Sequence, residues 1–305
     1  MYSSKSSLEV SGLGLIDIHA HVRRIPGPPH MGKHYPTPEQ LIRIYDKLGI
    51  EKGVLLPAVN PECAYVPQSN EDVIEMAERY PDRFIPFCNV DPRAMTNSPD
   101  APLGEILRYY RDRGCKGVGE VCANLPFLNP LVQNLFRHVQ DVGLPLTFHI
   151  APQIGGAYGL YDDPGLPQLE RSLQLFPKLK FLGHSQPFWA EIGRLETPAD
   201  RYGYPKYPVR EEGVVPKLMR RYPNLYGDLS ARSGYNALAR DPEYAVKFLN
   251  EFKDRLLFGT DITSPDTPTP LVDFLSKLYR DGRISESVYY KVTRGNAVKL
   301  LGLDE

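Results

Sequence analysis

Features that would place this chain in several other classes of protein are absent from its sequence. No apolar run approaches the roughly 20 residues that a helix needs to cross a bilayer. The 36 lysines and arginines are balanced by 37 aspartates and glutamates, so the chain lacks the basic excess that binds nucleic acid or an anionic membrane surface. We therefore expect a small-molecule partner, with no nucleic acid and no membrane.

Cysteine is scarce as well, with 4 in 305 residues. The cysteines form no CxxC pair, which is typical of reduced and mostly buried thiols in a chain of this length. Residues 1–11 are polar and lack the apolar core of a secretory signal, so we interpret them as a flexible polar tail. Residues 12–305 are then predicted to form one cytoplasmic domain.

What the sequence does contain is a repeated alternation of short apolar runs and amphipathic stretches. Runs without internal polar alternation, each followed by a helix-like segment, are typical of parallel strands buried on both faces. Many of the amphipathic segments end in Gly or in an aromatic residue followed by Pro, as helix C-termini do. The apolar runs span residues 13–19, 53–58, 84–90, 116–121, 144–150, 179–184, 224–230 and 255–261.

Eight such units predict a single (β/α)8 barrel, the TIM-barrel fold of the α/β class. An open, doubly wound sheet is the alternative, and the absence of a glycine-rich phosphate loop after the first run argues against it. Residues 185–208 are the longest irregular stretch, which predicts a long loop after the sixth strand, over the catalytic face. Residues 284–303 predict an extra C-terminal helix.

Polar residues interrupt the apolar runs at their carboxyl ends, which in a barrel meet on the face where active sites are built. These residues are His19, His21, Glu120, His149, His184, Asp228 and Asp261. His19 and His21 form a His-x-His pair whose side chains point the same way, with Cα atoms about 6.6–7 Å apart. With a third nitrogen from His149 and an oxygen from Asp261, they predict a divalent metal site, and imidazole with carboxylate suits Zn, Mn, Fe or Co.

A divalent ion lowers the pKa of a bound water toward neutrality. Asp261, as a ligand or neighbour of that water, could take its proton, so we predict that Asp261 is catalytic as well as a metal ligand. His184 could be a ligand of a second ion, or a proton donor and electrophile beside a single one.

The sequence resembles the amidohydrolase superfamily, and within it the amidohydrolase-related (amidohydrolase 2) family that includes aminocarboxymuconate semialdehyde decarboxylase-like enzymes. The resemblance runs from about residue 13 to residue 303 and is carried by LIDIHAH, TFHI, FLGHS, LYGDLS, LLFGTDI and GNAVKLLGL. It implies that His19 and His21 are ligands from the first strand, and that His149 is the ligand from the fifth. It also implies that His184 is catalytic beside a single metal.

Glu120 departs from the decarboxylases of that branch. The run that contains it is similar to hydrolases such as the TatD-type nucleases, in which a glutamate from the fourth strand bridges two metals. Two interpretations stay open: Glu120 bridges a second ion for which His184 is a ligand, or Glu120 orients a histidine ring. We favour one ion, most simply zinc, and keep Glu120 as a candidate ligand.

Four residues are predicted to contact the substrate. Arg23, Arg194 and Arg232 lie in loops expected on the catalytic face, and a planar guanidinium can bind a carboxylate with two parallel hydrogen bonds. Trp189, in the long loop, could stack on a flat ring or belong to a packed lid. Together they indicate a small organic substrate that bears a carboxylate.

The predicted activity is hydrolysis of an ester, lactone or amide by metal-activated water. The alternative is non-oxidative decarboxylation of an aromatic or muconate-type acid with the same metal. A non-catalytic binding barrel is a distant third hypothesis, because such a barrel should have lost ligands and this sequence keeps the full set. Homodimer formation is left open.

Overall fold

The computed structural model describes residues 14–29 and 32–304. The predicted polar tail, residues 1–11, lies outside the described residues. The strands are β1 Leu15–Ala20, β2 Ile50–Leu55, β3 Phe84–Pro86, β4 Val118–Val121, β5 Leu146–Ala151, β6 Leu160–Tyr161, β7 Phe181–His184, β8 Leu225–Asp228 and β9 Leu256–Leu257. Each predicted apolar run overlaps one of these strands, and β6 is a two-residue addition beside β5.

The helices that follow the strands begin mostly at proline or after a capping polar residue, both of which favour helix N-termini. They are α1 Pro38–Leu48, α2 Asn70–Arg79, α3 Leu103–Asp112, α4 Pro130–Val142, α5 Pro167–Leu175, α6 Gln186–Ala190, α7 Val214–Arg221, α8 Ala231–Ala239, α9 Pro242–Glu251, α10 Pro270–Arg280, α11 Glu286–Tyr290 and α12 Asn296–Leu301. No helix in the described part of the chain is long and apolar enough to cross a membrane.

All paired strands are parallel, and they form two sheets with the orders β1-β2-β3 and β4-β5-β7-β8-β9. One edge is joined by hydrogen bonds from Cys88 N to Gly117 O (3.0 Å) and from Gly119 N to Cys88 O (2.8 Å). At the other edge, Asp261 N donates to His19 O at 2.8 Å. These bonds link the two sheets at both edges, as a barrel requires, and the predicted (β/α)8 fold is confirmed.

The C-terminal segment is more divided than the single helix predicted for it. It consists of α11, a π-helical turn at Lys291–Gly295, and α12. Ala297, Val298 and Leu301 of α12 are buried in one apolar cluster with residues of the barrel strands, among them Ile16 and Val54. The end of the chain therefore completes a core that the strands alone would leave uncovered.

The predicted long loop, residues 185–208, contains two short ordered elements: α6 and a 3-10 helix at Pro198–Tyr202. Arg201 in the 3-10 helix is only 2% exposed, and its Nε donates to Glu191 Oε1 at 2.8 Å. Its Nη1 donates to the backbone oxygen of Asp162 at 2.7 Å. The buried Arg201, with its hydrogen bonds to both neighbours, thus orders this stretch. Each of the two elements has only five residues, which is too few for helical periodicity to be visible in the sequence.

Candidate metal centre

Three of the predicted ligands meet at the carboxyl ends of β1 and β9. The Nε2 atoms of His19 and His21 lie 3.1 Å apart. Oδ1 of Asp261 lies 3.6 Å from each of these nitrogens. We call His19, His21 and Asp261 the first donor group. Glu120 Oε2 reaches toward the same point, at 3.7 Å from His19 Nε2 and 3.6 Å from His21 Nε2.

The two histidine rings of this group are each held from behind. His21 Nδ1 lies 3.1 Å from the carbonyl oxygen of Leu56, and His19 Nδ1 lies 2.7 Å from Asp228 Oδ2. Burial opposes ionisation of Asp228, but the His19 and His184 rings nevertheless bring the pKa of this carboxyl below its ordinary value. Because a carbonyl and a carboxylate only accept hydrogen bonds, both Nδ1 atoms must donate.

That tautomer leaves the Nε2 lone pairs of His19 and His21 facing each other. Two such nitrogens at 3.1 Å repel unless a proton or a metal cation lies between them. Burial opposes charge on His19, yet Asp228 raises the pKa of this ring well above its ordinary value, as a shared proton would require. Two imidazoles with the carboxylates of Asp261 and Glu120 suit zinc or a similar ion, so the residues present fit the predicted metal.

Glu120, His149 and His184 form what we call the second donor group, and their ligand atoms are close enough to hold an ion. His149 Nδ1 lies 2.7 Å from Glu120 Oε1, and His184 Nε2 lies 3.6 Å from the same oxygen. Burial opposes ionisation of Glu120, but His149 and the neighbouring histidines hold the pKa of this carboxyl well below its usual range. His149 was predicted to bind the same ion as His19 and His21. The structure places it in the second donor group instead, where its ring contacts Glu120.

His184 ends β7 and lies between the two groups. Its Nδ1 is 3.0 Å from Ser230 Oγ and 3.5 Å from Asp228 Oδ2. Burial and the charge of His19 lower the pKa of His184 to about 4. Its Nε2 faces the Asp261 carboxylate, with 3.9 Å to Oδ2.

Asp261 is the most accessible carboxylate of the site. Its side chain is 23% exposed, whereas those of Glu120 and Asp228 are 9% and 0% exposed. Its φ of 54° is left-handed, a conformation that Asp adopts more readily than most residues. The backbone N–H of Asp261 donates to His19 O. In this geometry the Asp261 carboxylate lies near the His19 and His21 nitrogens and also lines the cavity.

The residues of the donor groups, except the fully buried His19, form the floor of a cavity of about 420 Å³. Five predicted site residues line it: His21, Glu120, His149, His184 and Asp261. Sequence reasoning missed five polar or aromatic residues that also line it: Lys33, Tyr35, Tyr158, Thr263 and Ser264. All five lie in loops that follow β1, β5 or β9, and this position is the only sequence signal that could have identified them.

Two of the predicted substrate contacts are committed to other partners. Trp189 is 1% exposed, and its Nε1 donates to the backbone oxygen of Asp228 at 2.7 Å. It packs in the core and is not available to stack on a substrate, which corrects the prediction. Arg194 has a side chain that is 72% exposed and pairs with Glu211 at 2.7 Å.

The other two predicted arginines are likewise not among the residues that line the 420 Å³ cavity. Arg23 donates to the backbone oxygen of Val66 and lies over the ring of Tyr35, 5.0 Å from its centroid. Arg232 lies over the ring of Tyr204, 4.4 Å from its centroid. The structure therefore does not bring the predicted arginines to the donor groups.

The barrel and its cluster of histidines and carboxylates define an enzyme of the metal-dependent type that builds its site at the carboxyl ends of the strands. A family model described as amidohydrolase matches residues 16–303, and the chain belongs to this amidohydrolase family. No curated protein matches the chain.

Solved structures with the same fold include enzymes of two activities. The 5-carboxyvanillate decarboxylase of Sphingomonas paucimobilis is 18% identical, with a TM-score of 0.62 over 96% of this chain and 100% of that one. The 5-carboxyvanillate decarboxylase of Novosphingobium aromaticivorans, complexed with manganese, is 18% identical, with a TM-score of 0.61 over 98% of each chain. A probable 2-pyrone-4,6-dicarboxylic acid hydrolase of Acinetobacter baumannii is 15% identical, with a TM-score of 0.58 over 95% and 100%.

Proposed function

We propose that this protein is a metal-dependent hydrolase of a small, carboxylate-bearing ester, lactone or amide. The observation that carries the proposal is the position of Asp261, whose accessible carboxylate lies 3.6 Å from both ligand nitrogens and also lines the cavity. A divalent ion held by the first donor group would polarise a substrate oxygen and make water more acidic. Asp261 is then the base that takes the proton from the attacking water.

The remaining residues of the site hold or move protons around that step. Asp228 and the Leu56 carbonyl keep the His19 and His21 rings in the tautomer that presents Nε2 to the ion. A proton collected by Asp261 can return to the leaving group directly or through His184, whose Nε2 is 3.9 Å away. Both residues predicted to be catalytic therefore have a place in hydrolysis.

We further propose that the first donor group holds a single tightly bound ion, with zinc favoured. The facing nitrogens of His19 and His21 need a positive charge between them, whereas Glu120 and His149 already form a hydrogen-bonded pair at 2.7 Å. Manganese is the alternative, because imidazole and carboxylate also suit it and because the Novosphingobium decarboxylase was solved with it. A second ion between Glu120, His149 and His184 would bind more weakly.

Decarboxylation of an aromatic or muconate-type acid is the second candidate. It is supported by the likeness in fold to the two 5-carboxyvanillate decarboxylases. We favour hydrolysis because Glu120 adds a carboxylate to the site that decarboxylation does not require, and because a 2-pyrone-4,6-dicarboxylic acid hydrolase has the same fold.

The two activities differ in whether water enters the product. The zinc-loaded and manganese-loaded protein would be incubated in ¹⁸O-water with 2-pyrone-4,6-dicarboxylate, other carboxylated lactones, esters and amides, and 5-carboxyvanillate. Hydrolysis places ¹⁸O in the product, and Asp261→Asn should slow that incorporation by about 100- to 10,000-fold. Release of carbon dioxide with no label in the product would overturn the proposal in favour of the second candidate.

A further inference from the structure

Lys33 lines the cavity, whereas none of the three arginines predicted to contact the substrate does. Among the described residues that line the cavity, it is the one lysine or arginine. It lies in the loop after β1, and its Nζ is 2.8 Å from Oδ2 of Asp266, in the loop after β9. The side chains of the pair are 54% and 67% exposed, which places them at the solvent side of the cavity.

Three hydroxyl-bearing side chains share the cavity with Lys33. Tyr35, Thr263 and Ser264 line the same cavity as Lys33. Ser264 Oγ donates to Asp266 Oδ1 at 2.7 Å, which fixes the carboxylate that in turn holds Lys33. An ammonium has three donor hydrogens and Asp266 occupies one, so Lys33 keeps donors for an anion that enters the cavity.

Two tyrosine rings lie beside the donor groups. The Tyr35 ring is 6.5 Å from the ring of His21, and the Tyr158 ring is 4.5 Å from the ring of His149, measured between centroids. The cavity between them, about 420 Å³, is in the range that holds one small organic molecule. Because ring faces favour flat partners, this arrangement suits a planar substrate.

We propose that Lys33 binds a substrate carboxylate that is remote from the reacting group, and that it thereby selects dianionic planar substrates over monoanionic ones. This inference rests on the proposed function, since it places the reacting group at the first donor group. The charges of the cavity set the orientation: Glu120 and Asp261 lie at the floor, so a carboxylate that is not bound to the ion is repelled there and attracted to the Lys33 end.

The test uses two inert probes that differ by one carboxylate, benzoate and isophthalate (benzene-1,3-dicarboxylate). Their binding to the zinc-loaded protein is measured by titration calorimetry at low ionic strength. We expect wild type to bind isophthalate about tenfold more tightly than benzoate. Lys33→Met should remove this preference while leaving benzoate affinity and zinc content unchanged, and Lys33→Arg should restore most of it.

Asp266→Asn separates anion binding from a loop-to-loop contact, because it removes the charge of the ion pair while the amide oxygen can still accept a hydrogen bond from the Lys33 ammonium and keep it at the cavity. We expect Asp266→Asn to keep the preference for isophthalate. An equal loss in Asp266→Asn and Lys33→Met would overturn the inference, as would an undiminished preference in Lys33→Met or no preference in wild type.

Failure of this inference and failure of the proposed function give different results. If Lys33→Met keeps the preference while ¹⁸O enters the product, the role of Lys33 is wrong and hydrolysis stands. If Lys33→Met loses the preference while the wild type only decarboxylates, hydrolysis is wrong and the role of Lys33 stands.

Discussion

The two donor groups of the site each contain two histidines and one carboxylate but are supported in different ways. In the first, His19 and His21 are held through Nδ1 by Asp228 and by a backbone carbonyl, which leaves both Nε2 atoms directed at one point. In the second, Glu120 accepts directly from His149 at 2.7 Å. The first group therefore needs a proton or a metal cation between its facing nitrogens, whereas Glu120 and His149 of the second group already satisfy each other with a hydrogen bond.

Burial does not follow this division. The exposed fractions of the side chains are 0% (His19), 10% (His21) and 23% (Asp261) in the first group, and 9% (Glu120), 15% (His149) and 2% (His184) in the second. What is buried in the first group is the support behind one ring, because the His19 and Asp228 side chains are both 0% exposed and charges interact strongly there. Which residue types are present thus matters less than what holds each ring from behind.

The largest effect is expected from Asp261→Asn, which removes the proton acceptor of the first group and preserves its shape. Turnover should fall by about 100- to 10,000-fold because the amide cannot take a proton from water. Steady-state kinetics and thermal melting of the same preparation would check this. Asp273→Asn, which changes an exposed carboxylate of α10, is the matched control and should keep the turnover and melting temperature of wild type. Near wild-type turnover of Asp261→Asn would rule out Asp261 as the base.

A direct comparison of the groups comes from His19→Ala and His149→Ala. Both should lower the zinc retained after dialysis severalfold without unfolding the barrel, because both side chains lie at strand ends, and the loss should be greater for His19→Ala. Zinc per chain would be measured by elemental analysis, with circular dichroism to verify folding. His138→Ala, on α4, serves as the control because this ring contacts the Ala101 carbonyl away from the site. Equal losses in the two variants would remove the distinction between the groups.

Asp228→Asn tests the support behind the first group. The amide oxygen can still accept from His19 Nδ1 but carries no charge, so zinc affinity should fall by about 10- to 100-fold. Competition with a chromophoric chelator would measure the zinc dissociation constant, and thermal melting would separate this loss from a loss of fold. An unchanged dissociation constant would mean that Asp228 supports the barrel and not the ion.

The smallest effect is expected from Glu120→Gln. Wild type should retain about one zinc ion per chain, and the variant should keep that ion with an affinity reduced severalfold at most. If Glu120 instead bridges two ions, wild type should hold a second ion about 3.5–4 Å from the first, and the variant should lose one of them. Anomalous diffraction from zinc-soaked crystals, with elemental analysis, would distinguish the two results.

Much of the fold could be predicted from the sequence. Apolar runs, helix caps and glycine stops are local patterns, and each predicted run overlaps a strand of the barrel. His19, His21, His184 and Asp261 could also be predicted to meet, since a parallel barrel brings the carboxyl ends of its strands to one face. The short helix α6 and the buried Arg201 could not, because partners such as Glu191 and Asp162, and not periodicity, order that segment.

Polar residues at the carboxyl ends of the apolar runs thus predicted which face of the barrel carries the candidate site, and most of the residues that the structure brings together there. Only the tertiary structure determined how the donor residues separate into two groups. Asp228 contacts His19 although they are 209 residues apart in sequence, and Glu120 contacts His149, 29 residues away. The tertiary structure also determined which cationic side chain lines the cavity. Arg23 donates to a backbone carbonyl, whereas Lys33 lines the cavity and pairs with Asp266, 233 residues away. The local sequence pattern indicates which residues lie at the carboxyl ends of the strands. The direction of each side chain depends on partners that are distant in sequence.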